Sequence, residues 1–81
     1  MSRRHWRSRI SIDPKVHSGE PCIKGTRVPV KVIVGSIAEG SSFNEILREY
    51  PTIKREDVRA ALRFAAEAVS GFDYLPLQAK S

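Results

Sequence analysis

Apolar residues recur with the period of an α-helix in three consecutive stretches of the chain. Their apolar positions are Val30, Ile33, Val34, Ile37 and Ala38 in the first, Phe43, Ile46, Leu47 and Tyr50 in the second, and Val58, Ala61, Leu62, Ala65 and Val69 in the third. Spacings of three and four residues place each set on one face, so the pattern predicts three helices with one buried face each. Gly40, Pro51 and Gly71 follow the three sets and predict where the helices end.

The second and third helices begin differently. Ser42 and Glu45 have the spacing of a capping box, in which each side chain accepts the other residue's backbone N–H. The third helix begins near Lys54, and lysine is a poor N-cap that costs about 1 kcal/mol relative to Ser or Thr. We therefore expect its first turn to fray, although Ile53 and Val58 have the spacing of a hydrophobic staple.

Upstream of the helices, the apolar period shortens to two residues. Residues 9–12 alternate polar and apolar and stop at Asp13-Pro14, a turn-initiating pair, which predicts a short strand. Residues 26–30 alternate in the same way and predict a second extended segment. Because two short strands are weak alone, we expect the first strand to pair with the segment after Gly25 and lie on the helices, or to pair across a dimer.

Residues that restrict the backbone are densest between Gly19 and Val30. Gly19 and Gly25 can take a positive φ at little steric cost, and we expect one at Gly25. The prolines fix φ near −65° and favour extended conformations in the residues before them. The expected result is an extended ribbon with turns. The residues that define this motif are Gly19, Pro21, Gly25, Thr26, Arg27 and Val28.

Positive charge is concentrated at the N-terminus. The 81 residues carry a formal net charge of +5. Most of it comes from Arg3, Arg4, Arg7 and Arg9. Basic arms bind nucleic acid most often, and a solubilising tail or a vector-derived remnant is the alternative. Residues 1–8 lack periodicity, so we expect disorder there, with Trp6 either stacked on a base or packed against the domain.

Length and composition predict one small cytoplasmic domain without a catalytic centre. We divide it into a basic arm (1–9), a helical domain with a β-ribbon (10–71) and an apolar tail (72–81). The single cysteine, Cys22, allows no internal disulfide, and no stretch has the pattern of a signal sequence or a membrane span. His17 and Cys22 lack metal-ligand spacing, and the sequence offers no paired carboxylates, nucleophile set or phosphate loop. We therefore expect no enzyme, metal or cofactor.

Taken together, these segments resemble a known family. The stretch 19–30, with Ile12-Asp13-Pro14 upstream and residues 46–51 and 60–62 downstream, is similar to a bacterial family described as domain of unknown function 433. The similarity covers about residues 10–68. Members of this family resemble VapB-like antitoxins, which are commonly encoded beside a PIN-like ribonuclease toxin and commonly repress their own operon. The chain departs from the family pattern at Lys54, where Ser or Thr is usual.

The short link between the second and third helices has helix-turn-helix spacing, which makes the third helix the candidate for a DNA major groove. On it, Arg55, Arg59 and Arg63 recur every four residues and form one edge, away from Asp57. In the alternative interpretation this edge is a solvated surface on which arginines pair with neighbouring glutamates. The candidate DNA-binding residues are Arg3, Arg4, Arg7, Lys54, Arg55, Arg59 and Arg63.

The tail after Gly71 carries large apolar residues without a helical period, and Pro76 stops any helix. Such a tail either folds back on its own domain or docks into a groove on a partner, which is how VapB-like antitoxins generally hold their toxins. The candidate partner-binding residues are Phe72, Tyr74, Leu75, Leu77 and Lys80, of which the lysine could reach acidic metal ligands of a PIN-like nuclease.

We therefore expect a mainly α protein with a three-helix, helix-turn-helix (homeodomain-like) core and a short N-terminal β-ribbon. The resemblance implies the function of an antitoxin, which binds a PIN-like ribonuclease toxin and double-stranded operator DNA as a homodimer. One alternative is an interaction module that inhibits a partner without binding DNA. Another is a stand-alone transcription regulator.

Overall fold

Three helices and a two-stranded antiparallel sheet form the fold in the computed structural model, which describes residues 3–15 and 17–70. The strands are β1 (Ile10–Ser11) and β2 (Cys22–Ile23), and the helices are α1 (Val30–Ala38), α2 (Phe43–Glu49) and α3 (Arg55–Ser70). Two 3₁₀ helices, Arg3–Arg9 and His17–Gly19, precede the two strands. This architecture confirms the mainly α fold class with three helices and a short N-terminal β-ribbon.

Four fully buried aliphatic side chains, each from a different element, form the centre of the core. They are Ile23 from β2, Ile33 from α1, Ile46 from α2 and Val58 from α3. Fully burying a side chain of this size contributes about 1.5–3 kcal/mol. Because β2 and each of the three helices supply one such residue, none of these four elements can leave the domain without exposing the core.

The predicted helix ends agree with the structure where it describes them. Ser42 Oγ accepts the Glu45 N–H at 3.1 Å and Glu45 Oε1 accepts the Ser42 N–H at 2.8 Å, which completes the capping box of α2. Gly40 follows the C-cap of α1 with a φ of +105°. The predicted apolar faces were wrong at two positions, because Ala38 is exposed and Val69 is 45 % exposed near the end of α3. Gly71 lies outside the described residues.

Strand pairing differs from the prediction. β1 pairs with β2, with Ile10 opposite Ile23, and not with the segment after Gly25. That segment instead bonds the other side of β2, where Ile23 N–H donates to the Val28 carbonyl at 2.9 Å. The tight turn after β2 brings residues 28–30 back alongside it, so β1 occupies the edge that remains.

A turn from Ile23 to Thr26 sets this arrangement. The Thr26 N–H donates to the Ile23 carbonyl at 3.0 Å, and Gly25 has a φ of +81°, as a type II turn requires at its third residue. The Thr26 hydroxyl donates to the same carbonyl at 2.8 Å and accepts the Val28 N–H at 3.0 Å. The predicted positive φ is confirmed at Gly25, and Gly19 also has a positive φ, of +84°.

The N-terminal segment Arg3–Arg9 forms a 3₁₀ helix against α3, so the expected disorder of residues 1–8 is wrong for residues 3–8. Trp6 meets Phe64 of α3 edge to face, with 6.4 Å between ring centroids. Arg7 stands 4.7 Å from the centre of the Trp6 ring. Trp6 thus packs on its own domain, and this long-range aromatic contact explains the order that local periodicity did not indicate.

We expect Gly25→Ala to destabilise the domain by about 1 kcal/mol, because an L side chain pays that cost in the left-handed region. No atom lies within 4 Å of the Cβ that would be added, so the cost is one of backbone conformation and not of crowding. Urea titration followed by circular dichroism measures it.

Gly35→Ala is the matched control, because Gly35 lies within α1 and its added Cβ also meets open space. This substitution should stabilise the domain by about 0.5–1 kcal/mol through helix propensity. Equal changes in the free energy of unfolding of the two variants would show that the turn does not depend on the positive φ of Gly25.

Candidate nucleic-acid interface

Residues 50–54 connect α2 to α3, and they are held to the core at both ends. The Ile53 N–H donates to the Tyr50 carbonyl at 3.1 Å, which closes a turn. Ile53 is buried next to Val58, the pair with hydrophobic-staple spacing, and Tyr50 packs against the same core. The path of the chain into α3 is therefore defined by apolar contacts on either side of its first turn.

Asp57 completes the start of α3. Its carboxylate, in a residue only 7 % exposed, accepts the Lys54 N–H at Oδ2 at 2.8 Å. Oδ1 accepts the guanidinium of Arg9 at 2.9 Å. The Lys54 carbonyl also receives the N–H groups of Asp57 and Val58, so the expected fraying of this turn is wrong.

The spacing Lys54-x-x-Asp57 contained the signal for this cap, because an acidic residue three positions after the N-cap is half of a capping box. The contribution of Arg9 had no local signal, since it lies 48 residues away. The four-residue spacing of the arginines indicated only that Asp57 lies away from their side of the helix. The structure shows that it is the buried carboxylate joining α3 to the ribbon.

The exposed edge of α3 contains three arginines. Arg55, Arg59 and Arg63 all lie at the surface, four residues apart. With a rise of 1.5 Å per residue, their Cα atoms span about 12 Å along the helix. We call this set the arginine edge.

The arginines differ in their contacts. Arg55 Nη2 donates to Asn44 Oδ1 at 2.7 Å, and its guanidinium lies 5.7 Å from the centre of the Phe43 ring on α2. Arg63 lies 3.5 Å from a carboxylate oxygen of Glu67. Within the described chain, the Arg59 side chain makes no ion pair. The alternative of a solvated, paired surface is therefore realised for Arg63 and not for Arg59.

Arg7 lies near the C-terminal end of this edge. Its Nη2 lies 3.9 Å from Glu67, the residue that also pairs with Arg63. Lys54 is exposed at the opposite end, as the N-cap of α3. Arg3 and Arg4 belong to the N-terminal 3₁₀ helix by their backbone, and their side chains lie outside what the structure describes.

The predicted partner-binding residues lie outside the described residues, so that assignment stays a prediction. They are Phe72, Tyr74, Leu75, Leu77 and Lys80. The motif residues are all described, and they flank β2 on both sides: Gly19, Pro21, Gly25, Thr26, Arg27 and Val28. Of these, Arg27 is exposed and Val28 lies in the core.

Cys22 has the properties of a core residue. It is 3 % exposed, and burial, reinforced by the negative charge of Glu20, raises the pKa of its thiol. The thiol therefore remains protonated at neutral pH and is a poor nucleophile. In the described ranges, no three His, Cys, Asp or Glu side chains come together as a metal site. None of the described helices combines the length and apolar character needed to cross a bilayer.

A family model matches the larger part of the chain. The model of the family described as "Protein of unknown function (DUF433)" matches residues 10–65. The chain belongs to the DUF433 family. The matched range covers β1 through most of α3, and it leaves out the N-terminal 3₁₀ helix and the apolar tail.

Two relatives illustrate the family. An uncharacterized protein of Sinorhizobium fredii, y4eO, is 34 % identical over 56 residues, which are 69 % of this chain and 25 % of that protein. The crystal structure of a DUF433 member protein from Anabaena variabilis superposes with a TM-score of 0.71 at 31 % identity, covering 79 % of this chain and 63 % of that one. The chain thus spans a quarter of the first relative and less than two thirds of the second.

We expect Asp57→Ala to destabilise the domain by roughly 2 kcal/mol. The substitution removes a capping bond worth about 1 kcal/mol and a charge-assisted bond whose value is reduced because Arg9 is partly exposed. Asp57→Asn should lower the free energy of unfolding by less, because its amide oxygen can still accept the Lys54 N–H. Chemical denaturation compares the variants.

Glu56→Ala is the control, because it removes the neighbouring exposed carboxylate. Its free energy of unfolding should stay within about 0.5 kcal/mol of the parent value. If Asp57→Ala also stayed in that range, the carboxylate would not hold α3 to the ribbon.

Proposed function

We propose that this DUF433 protein is a DNA-binding antitoxin that represses its own operon and neutralises a PIN-like ribonuclease. The observation that carries the DNA-binding part is the arginine edge, presented on α3 directly after the short helix α2. In helix-turn-helix proteins the second helix of such a pair enters the major groove. A homodimer would present two such helices to a two-fold symmetric operator.

The dimensions of the arginine edge support this proposal. Its arginines span about 12 Å along α3, comparable to the width of the major groove of B-DNA, which is about 12 Å. Arginine is also the side chain that most often reads guanine, through two hydrogen bonds to O6 and N7. Arg59, which makes no ion pair among the described residues, is the arginine we assign to base contact.

Local charges on α3 are compatible with an approach to DNA. The carboxylate of Asp57 is buried and paired with Arg9, so it adds little repulsion toward phosphates. Glu67 is exposed and lies near both Arg63 and Arg7. Exposed ion pairs are worth only about 0–1 kcal/mol, so Arg63 can exchange Glu67 for a phosphate at small cost.

The antitoxin part of the proposal is supported by the resemblance to VapB-like proteins and by the composition of the tail. Four of its residues could each contribute about 1.5–3 kcal/mol on burial in a partner groove, before ordering costs are subtracted. They are Phe72, Tyr74, Leu75 and Leu77. Lys80 would lie just beyond them, where it could meet the acidic metal ligands of the nuclease.

The DNA-binding proposal is tested with Arg59→Ala. We expect it to lower affinity for the promoter of its own operon by about 1–3 kcal/mol and to change affinity for random duplex little, because base contacts carry sequence discrimination. Fluorescence anisotropy with both duplexes at several salt concentrations measures this.

Lys15→Ala is the control, since it removes one exposed positive charge from the connection between β1 and β2. Its affinity for the promoter should remain close to that of the parent. Absence of promoter binding by the parent protein, alone and with its nuclease, would contradict the proposal and favour an interaction module.

The antitoxin proposal is tested by truncation after Ser70. We expect the shortened protein to stay folded and bind DNA, because the described core ends with α3, and to lose inhibition of the nuclease. Co-purification and an RNA-cleavage assay compare the two forms. Full inhibition by the shortened protein would place the inhibitory surface on the helices or the ribbon.

A further inference from the structure

A polar cleft of about 290 Å³ lies where the β-ribbon meets the start of α3. It is lined by Ser8, Arg9, Lys24, Thr52, Lys54 and Asp57. We call it the basic cleft. Of these residues only Lys54 was a candidate DNA contact from sequence, and Ser8, Arg9 and Lys24 reach it only in the folded domain.

A chain of hydrogen bonds holds the basic cleft together. The carbonyl of Arg9 accepts the Lys24 N–H at 2.8 Å, which fixes the ribbon turn beside the N-terminal segment. The Arg9 guanidinium donates to Asp57, and Asp57 in turn accepts the Lys54 N–H. Arg9 and Lys54 are thus bonded directly to one buried carboxylate, and Lys24 is bonded to Arg9. The fold therefore sets the backbone positions of all three cationic residues.

The charge of the basic cleft is unbalanced. Three cationic side chains and one carboxylate leave a net charge of +2. Both oxygens of Asp57 already accept internal hydrogen bonds. The ammonium groups of Lys24 and Lys54 make no ion pair with any residue in the described ranges. Cations gathered in a cleft raise the local potential, and a bound anion lowers their mutual repulsion.

The groups lining the basic cleft suit a phosphate better than a carboxylate-bearing ligand. Lysine is a common phosphate ligand that acts as a point charge, and the hydroxyl of Thr52 can donate to a phosphate oxygen. The positive end of the α3 dipole adds to the field at the same place. A phosphate has more negative charge and more acceptor oxygens than a carboxylate, so it can use donors that converge from several sides.

We propose that the basic cleft binds a phosphate group, and that in the DNA complex it receives a phosphate of the backbone. That the phosphate belongs to DNA rests on the proposed function, whereas the ability of the cleft to bind a phosphate does not. Backbone phosphates position a protein on the duplex, and base contacts specify sequence. The basic cleft therefore sets the position of the start of α3, from which the arginine edge continues along the helix.

The experiment compares the double variant Lys24→Gln/Lys54→Gln with Lys15→Gln, in the full chain. Both lysines of the basic cleft are exposed, and the bonds that hold the cleft use their backbone atoms, so the fold should be retained. Circular dichroism melts verify this. A single Lys24→Gln variant provides the same readout if the double variant is unstable.

The first measurement uses inorganic phosphate as the probe. Amide ¹H–¹⁵N spectra are recorded in sodium phosphate and in sodium chloride of matched ionic strength. We expect saturable shifts at Lys24, Lys54 and Arg55 in the parent and in Lys15→Gln, and their loss in the double variant. Absence of such shifts in the parent would overturn the proposal.

The second measurement uses duplex DNA, both promoter and random sequence, at several salt concentrations. Losing one phosphate contact should reduce the log–log salt slope by about 0.9, which corresponds to about eightfold weaker binding at 0.1 M salt for either sequence. Lys15→Gln should retain the parent slope. If the cleft amides shift with inorganic phosphate but the slope is unchanged, the cleft binds a free phosphate compound and its DNA role is overturned. Should the parent bind no DNA at all, the proposed function fails while the phosphate shifts still decide the cleft.

Discussion

The carboxylate of Asp57 is the interaction on which the arrangement of this small domain depends. It links the backbone at the start of α3 to the guanidinium of Arg9, the last residue of the N-terminal 3₁₀ helix, directly before β1. Arg9 is partly exposed, which reduces the value of the ion pair, so the carboxylate acts chiefly by capping α3 and joining it to the N-terminal segment. The same carboxylate therefore stabilises α3 and keeps Arg9 beside the basic cleft.

The ribbon turn is the second constraint, and it acts through the backbone. The positive φ of Gly25 and the two bonds of the Thr26 hydroxyl reverse the chain within a few residues. β2 is consequently bonded on one side by β1 and on the other by residues 28–30, although both strands have only two residues. A ribbon this short is weak alone, and Ile23 secures it by reaching the core between the helices.

Helices could be predicted from the sequence because their signals are local. The capping box of α2, the glycine after α1 and the apolar period of each helix all fall within a few residues of where they act. Strand pairing could not be predicted from the sequence, because it depends on which edge of β2 the turn after it leaves free for β1. The contact of Trp6 with Phe64 and that of Arg9 with Asp57 also had no local signal, since each joins residues about 50 positions apart.

The candidate site was predictable to the same extent. The arginine edge follows from a spacing of four residues on one helix, and all three arginines are exposed as that spacing implies. The basic cleft was not predictable, because Arg9, Lys24 and Lys54 meet only through the ribbon turn and Asp57. Under the proposed function the two parts divide recognition between them: the arginine edge supplies contacts that depend on base sequence, and the basic cleft supplies one that does not. Asp57 caps the helix that carries the arginine edge and also lines the basic cleft, so the positions of both surfaces depend on one carboxylate.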